Sequence, residues 1–306
     1  VYNDKMKKVI KELDEKKLTR KSEGAKIVSL KKDKLGVVLI EKSDGSTLYS
    51  TRDLASAIDR YKKYKFDIMI YEVGQEQKLH FKQLFKVLEK MGYEWSKNCK
   101  HIDHGLYLGK DGKKLATRKG KTVFMEDILN ETEELAKIQI KKRFPKISKK
   151  ELNERAKKVS KAAIFYGDLK NNRANNIIFD LERFVSFEGD TGPYIQYAYA
   201  RASSILRKIE KVPELILPKE LEEKENILIK KLSEFEQIAF EAYKQMNPAL
   251  IAGYAYKLSQ IFNEFYHACP VIGSESESFR LELIKIFRQV LKNSLYLLGI
   301  EVMEVM

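Results

Sequence analysis

Cysteine is nearly missing from this chain: Cys99 and Cys269 are the only two in 306 residues. Two isolated thiols build no disulfide framework and suit a reducing compartment, so the cytoplasm is the expected location. His101 and His104 flank Asp103 close to Cys99. A zinc site needs closer cysteine pairs or a fuller four-ligand set, and no protein-bound metal is expected. Long apolar runs are missing too. Nothing approaches the roughly 18 consecutive apolar residues of a membrane span. The opening, VYNDKMKKVIKELDEKK, carries charges where a secretory leader requires an apolar core. Acidic charge is in short supply: 44 Asp and Glu stand against 58 Lys and Arg, and the net charge of +14 favours a polyanionic partner, nucleic acid or an anionic membrane surface.

What is present falls into two patterns. Hydrophobic content of 43% and charged content of 33% describe a folded chain, long enough for two domains. The first part alternates strand and helix signals. Residues 1–17 predict a helix with Met6, Val9, Ile10 and Leu13 on one stripe. Gly36 to Ile40 is a β-branched run, Ser43 to Ser46 a turn, and Thr47 to Tyr49 a returning strand. Thr51 is placed to cap a helix from Arg52 to about Lys63. Phe66 to Val73 reads as a buried strand ended by Gly74, and Glu76 to Met91 as an amphipathic helix with Phe81, Leu84, Phe85, Leu88 and Met91 inward. His101 to Leu108 is a further strand. This order is that of the end of an α/β nucleotide-binding domain. It supplies few strands for a complete parallel sheet, so the expectation is that the first half of that domain lies outside these residues.

From about Glu126 the apolar period becomes helical, through Ala156–Leu169, Tyr194–Ile209, Leu228–Met246, Ala249–Tyr266 and Leu281–Leu298. The expected organisation is α/β over residues 1–130, a partial Rossmann-like domain, followed by an all-α helical bundle over residues 131–306.

Between the two parts, Asp103 to Lys121 reads DHGLYLGKDGKKLATRKGK. Lys113, Lys114, Arg118, Lys119 and Lys121 place five cations in a loop bent at Gly112 and Gly120. By itself the pattern fits a solvated hairpin tip as well as an anion clamp. Tyr49, Arg52 and Asp53 sit at the end of one expected strand, where a phenol and a carboxylate could grip a cationic substrate or simply cap a helix. Gln77, His80 and Gln83 line the helix after the Phe66–Val73 strand, at the carboxyl end where ligands sit in such sheets, although ordinary surface polarity gives the same pattern. In the helical part, Gly189-Asp190-Thr191-Gly192-Pro193-Tyr194 is a tight turn in which Pro193 starts a helix and Thr191 or Asp190 caps it. Tyr194, Tyr197 and Arg201 then share one helical face while Tyr199 points elsewhere. Aromatics closed by an arginine suit unstacked bases, and a buried aromatic stripe is the alternative.

Five segments, DGSTLYSTRDLASAIDR, YEVGQEQKLHFKQLF, HIDHGLYLGKDGKKLATRKGK, FEGDTGPYIQYAYARASSIL and LLGIEVMEVM, occur in that order. Together they resemble the C-terminal portion of the arginyl-tRNA synthetase family, class I enzymes: the second half of the catalytic domain plus the anticodon-binding domain. The resemblance implies that Tyr49, Asp53 and Gln77 hold the substrate arginine and that His80 and Gln83 lie near ATP and the adenylate. KLATRKG stands where class I synthetases carry the KMSKS signature, so Lys114, Arg118 and Lys119 are the implied catalytic cations, with Lys114 and Arg118 on the ATP phosphates. Tyr194, Tyr197, Arg201 and Met306 fall at anticodon-binding positions. Also implied are ATP as a substrate with Mg2+, no tightly bound cofactor, tRNA-Arg and L-arginine as partners, no membrane partner and a monomeric state. In this family the first step generally needs tRNA present. The family's HIGH-type motif does not occur in these residues, so this chain alone is expected to be inactive in aminoacylation. A non-catalytic tRNA-binding module with a vestigial α/β domain is the rival reading.

Overall fold

The computed structural model describes residues 3–109, 111–113, 124–209 and 213–306. Two compact units divide the chain, residues 1–105 and 106–306.

The first unit opens with helix α1 (Asn3–Glu15), whose Met6, Val9 and Leu13 are buried as their spacing predicts. Strands β1 (Thr19–Ser22) and β2 (Ala25–Ser29) form a hairpin, joined antiparallel to β3 (Val37–Glu41). The hairpin turns through Glu23 and Gly24, both at positive φ (50° and 77°), the geometry that a two-residue loop between twisted strands requires. Strand β1 has no signature in the sequence, because Thr-Arg-Lys-Ser is mostly exposed and shows no apolar alternation.

The expected returning strand at Thr47–Tyr49 is reduced to a single bridge between Glu41 and Thr47. Helix α2 (Tyr49–Tyr64) begins earlier than Arg52, and Thr51 lies inside it rather than capping it. Both early hydroxyls turn inward: Ser50 Oγ donates to the Leu39 carbonyl (2.6 Å) and Thr51 Oγ1 to the Ile40 carbonyl (2.5 Å). These bonds use carbonyls at the end of β3 to anchor the first turn of α2, a tertiary partner that local capping rules do not see.

Strand β4 (Met69–Gly74), helix α3 (Lys78–Lys90) and strand β5 (Cys99–His104) form a β-α-β unit, with β4 and β5 parallel from Met69 opposite Cys99 to Gly74 opposite His104. A 3-10 turn, Gln75–Gln77, leads into α3. The strand expected to be buried is only half so. Ile70 is 55% exposed, because β4 has one strand neighbour among the described residues and faces its core on one side. In α3, Phe81, Leu84 and Leu88 are buried, with Met91 just beyond its end, while Phe85 is partly covered. Gly92 at φ 86° follows the helix, as expected.

The second unit begins with strand β6 (Tyr107–Leu108) and helix α4 (Met125–Arg143), followed by α5 (Lys149–Leu169), strand β7 (Ile177–Ile178) and the short α6 (Leu181–Phe184). The expected strand His101–Leu108 is therefore two: residues to His104 pair with β4, and Tyr107–Leu108 pair in parallel with β7. Five further helices complete the described part: α7 (Gly192–Arg207), α8 (Glu223–Ser233), α9 (Phe235–Gln245), α10 (Ala249–Ala268) and α11 (Glu277–Leu297). The expected Leu228–Met246 helix is broken at Glu234 between α8 and α9. The core is aromatic and aliphatic, with Tyr166, Phe262, Phe265 and Phe287 fully buried and the Phe262 and Phe287 rings stacked at 3.8 Å.

Three polar devices fix this bundle. Thr191 caps α7, accepting from the Tyr194 N–H (3.2 Å), with Pro193 in the first turn, as the sequence predicts. The Tyr166 hydroxyl donates to Asp190 (2.5 Å), so the turn before α7 is held from within α5. At the other end the Arg280 guanidinium donates to Glu225 (2.7 Å), Glu222 (2.5 Å) and the Pro270 carbonyl (2.6 Å), clipping the start of α11 to the start of α8.

Candidate functional site

In the first unit, residues four apart on the opening turns of α2 put Tyr49 and Asp53 on one face. The first turn of α3 brings His80 to them. Its Nε2 lies 2.8 Å from Asp53 Oδ2, and its ring meets that of Tyr49 edge-on with centroids 4.8 Å apart. His80 is buried, whereas Tyr49 is 62% exposed and the Asp53 side chain 37%. The buried imidazole thus orients the carboxylate, one edge of which faces solvent beside an open phenol ring. A carboxylate fixed this way beside an aromatic face is chemistry for a planar cation.

The other expected members of this site are placed differently. Gln77 is exposed, one turn before His80. Gln83 donates from its amide to the carbonyls of Leu35 (2.7 Å) and Val37 (3.3 Å), and so holds the start of β3 against α3. Lys114, Arg118 and Lys119 lie outside the described residues, as does Lys121. Ahead of them Gly109 N–H donates to Lys113 O (2.7 Å) and Gly112 takes φ 74°, so the basic segment begins in a tight turn. The Cys99–His104 cluster serves the fold: His101 contacts the Val73 carbonyl (2.9 Å) and stacks on Phe81, His104 contacts the Gly105 carbonyl (2.9 Å), and Cys99 is buried. Among the described residues no group of His, Cys, Asp and Glu could hold a metal ion, and no helix is long and apolar enough to cross a membrane.

In the second unit α7 presents Tyr194, Tyr197 and Arg201 together, and α10 supplies partners that the reading of the sequence missed. Asn263 joins two of them, donating from Nδ2 to the Tyr194 hydroxyl (2.8 Å) and accepting at Oδ1 from Arg201 (2.6 Å). The Arg201 guanidinium lies 5.0 Å from the Tyr197 ring centroid and 5.2 Å from that of Tyr266. Tyr194 also meets Tyr256 at 5.6 Å, and Gln260 donates to the Tyr256 hydroxyl (3.0 Å). Burial pushes the Tyr256 phenol above its ordinary range, so it stays neutral at physiological pH. Tyr256, Gln260 and Asn263 fall at i, i+4 and i+7, a spacing that puts them on one face of α10. Tyr199 faces the opposite side and is buried, as its register implies.

Met306 joins a small apolar cluster with Met303, Phe187, Ile140 and Val159, and Tyr197 packs against the same cluster. The Arg143 guanidinium sits 4.1 Å from the Phe187 centroid and 5.8 Å from that of Tyr197. Tyr194, Tyr197 and Arg201 thus share one side of α7, and Tyr197 links it to the cluster against which Met306 packs. This side combines half-buried tyrosines with guanidinium groups and amide side chains, which is chemistry for stacking and edge recognition of unpaired bases.

Residues 1–181 match the family model for tRNA synthetases class I (R), catalytic domain, and residues 195–306 match that for the DALR anticodon binding domain. Among curated relatives, "Arginine--tRNA ligase" of Clostridium perfringens is 43% identical over 311 residues, covering all of this chain and 54% of its own length. The protein of the same name from Pediococcus pentosaceus is 43% identical over 301 residues, covering 98% of this chain and 53% of its own. The chain spans about half the length of the curated relatives it matches. Among solved structures, the arginyl-tRNA synthetase of Thermus thermophilus superposes with a TM-score of 0.86 at 24% identity, over 99% of this chain and 58% of that one. That of Plasmodium falciparum gives 0.86 at 25% identity, over 100% and 53%.

Proposed function

The chain belongs to the class I arginyl-tRNA synthetase family, and from that premise we propose that it carries the arginine-recognising and anticodon-recognising parts of an arginine–tRNA ligase. The reaction is ATP-dependent. The arginine carboxylate attacks the α-phosphorus of ATP and pyrophosphate leaves; a terminal ribose hydroxyl of tRNA-Arg then takes the arginyl group and AMP leaves. ATP enters with Mg2+ as part of the substrate.

The observation that carries this reading is the Asp53 carboxylate, held by buried His80 beside the exposed Tyr49 ring. A guanidinium is planar, permanently charged and rich in donors, and this grouping offers it a charge partner and a ring face. Gln77 is assigned to the same pocket and Gln83 to the region of the adenylate. Lys114, Arg118 and Lys119 are assigned to the charge developing on the phosphates. Tyr194, Tyr197, Arg201 and Met306 are assigned to the anticodon, with Asn263 positioning two of them. The rival reading as a bare RNA-binding module does not account for the Tyr49–Asp53–His80 arrangement, which RNA binding by the second unit does not require.

These 306 residues contain no HIGH-type motif, so in this reading they hold one side of the ATP site and do not aminoacylate by themselves. The protein acts as a monomer in the cytoplasm. Pyrophosphate exchange with arginine, ATP and cognate tRNA tests the inactivity: turnover near that of a full-length relative would overturn it. Filter binding tests recognition. The chain is expected to retain tRNA-Arg in preference to unrelated tRNA, and equal retention would overturn the anticodon assignment.

A further inference from the structure

Tyr199 shares α7 with Tyr194 and Tyr197 but points to the other side, where its hydroxyl donates to Glu304 Oε1 (3.3 Å) in the segment that follows α11. The Arg288 guanidinium, on α11, donates to the same carboxylate oxygen (3.0 Å) and to the Tyr199 hydroxyl (3.3 Å). Its carbon lies 5.2 Å from the Tyr199 ring centroid. Arg207, at the end of α7, donates to the Glu304 backbone carbonyl (2.6 Å) and stands 3.9 Å from the Glu304 carboxylate. Three side chains from two helices therefore grip one residue.

The same segment is held a second time three residues earlier. Gln196, fully buried on α7, donates to the Glu301 carbonyl (2.7 Å). The Glu301 carboxylate faces Lys158 (3.5 Å) and Lys161 (3.9 Å) on α5. Between the two grips, Met303 is buried in the cluster of Ile140, Val159 and Phe187. Beyond Glu304 the hold is slighter: Val305 is 45% exposed, and Met306 is only partly buried against that cluster. Apolar burial fixes a residue in proportion to the area covered. It pins Met303 firmly and Met306 weakly, so the direction in which the chain leaves Glu304 decides where Met306 lies.

Neither stability nor net charge gives a reason for this grip. The Glu304 side chain is 56% exposed and that of Arg207 46%, and ion pairs at such exposure contribute little to stability. A carboxylate two residues from Met306 also repels the phosphates of any RNA bound there. Orientation is what the arrangement supplies, because two guanidinium groups and a phenol converging on one residue leave it a single course.

We propose that Glu304 is a positioning residue for anticodon recognition. Held by Arg288, Tyr199 and Arg207, it sets the course of residues 304–306 and so places Met306 against the cluster that Tyr197 also covers. Glu304 touches no RNA in this role. The proposal rests on the reading of Tyr197 and Met306 as anticodon-binding residues, and it deepens that reading by naming what orders the apolar edge of the site.

The test is a double-mutant cycle on the full chain, with affinity for an anticodon stem-loop RNA of cognate sequence measured across a salt series. Glu304→Ala and Met306→Ala are each expected to weaken binding roughly fivefold, and the double variant to bind no more weakly than Met306→Ala alone, because residues that act through one contact do not add. The sign is as informative as the size. Removing a carboxylate makes the chain more positive, and a residue that contributed charge alone would on removal let RNA bind more tightly, most of all at low salt. Tighter or unchanged binding by Glu304→Ala would therefore overturn the proposal and leave the anticodon reading standing. Additive losses in the double variant would also overturn it, since Glu304 would then act without Met306. Wild-type affinity in Met306→Ala, or a wild type that fails to bind the stem-loop, would reject the anticodon reading and the proposal together. In the free protein the methyl resonance of Met306 is expected to shift in Glu304→Ala while that of Met303 stays in place. An unmoved Met306 signal would reject the positioning role. Should Glu304→Ala prove unfolded, Glu304→Gln, which makes the same change in charge but keeps an acceptor oxygen, takes its place in the cycle and the same outcomes decide.

Discussion

His80 Nε2 lies 2.8 Å from Asp53 Oδ2, a bond between the opening turns of two helices whose sequences are 27 residues apart at these positions. The imidazole is buried, so the carboxylate is held from behind and presented at its open edge. Asp53→Asn keeps the shape and an acceptor oxygen but removes the charge. It is expected to change unfolding free energy by no more than about 1 kcal/mol, the carboxylate being partly solvated. Millimolar arginine is expected to raise the thermal midpoint of the wild type and not of the variant. A shift of equal size in both would overturn the proposed role of Asp53 in binding arginine.

Asn263 makes a different prediction in the second unit. It couples Tyr194 to Arg201 through one amide, so Asn263→Ala releases a phenol and a guanidinium together. Affinity for the cognate stem-loop should fall by about 1–2 kcal/mol, comparable to the loss of one stacked base, with a salt slope close to that of the wild type. A large change in slope would mean that Asn263 acts on charge neutralisation rather than on the geometry of the face.

Helix contact between α5 and α7 depends on one missing methyl. A Cβ on Gly192 would stand 2.2 Å from the Ala162 carbonyl oxygen and 2.6 Å from its carbon, and backbone cannot swing aside as a side chain can. Gly192→Ala should therefore cost about 2–3 kcal/mol in urea unfolding. Gly253, exposed on α10, has nothing within 4 Å of its Cβ position. Gly253→Ala should stabilise by about 0.5–1 kcal/mol through helix propensity alone.

The Arg280 bridge gives a test of buried charge. Glu225 is 1% exposed and Arg280 6% by side chain. Arg280→Met strands a buried carboxylate and should cost about 3–5 kcal/mol, while the double variant Arg280→Met, Glu225→Met should recover most of that loss. Equal instability of the single and double variants would show that Arg280 serves through packing rather than through its charge.

Both thiols are protonated well beyond the ordinary range. Burial pushes Cys99 up to about 11, and burial together with the Glu222 carboxylate pushes Cys269 up to about 11. Neither should react with a thiol reagent at pH 8 until the protein is unfolded in urea. The folded state favours the protonated form, so this contribution to stability is fully present below pH 9 and is lost as pH rises through 11. A Cys99→Ala, Cys269→Ala variant should lack that component of the alkaline decline.

Residue order alone determined the parts of this protein whose causes are local. The helical period placed Met6, Val9 and Leu13 inward on α1, Thr191 and Pro193 at the start of α7, and Tyr194, Tyr197 and Arg201 on one face, because each depends on neighbours within a turn or two. The ordered landmarks were enough to identify the family. Tertiary structure decided what depends on residues far apart in sequence. The first turn of α2 is anchored by carbonyls of β3, not by a cap at Thr51. Gln83 turns toward Leu35 and Val37, and Asn263 reaches across from α10 to join Tyr194 with Arg201. Side-chain periodicity is written along the chain, but the partner of a buried donor or acceptor is set by which elements the hydrophobic core brings together.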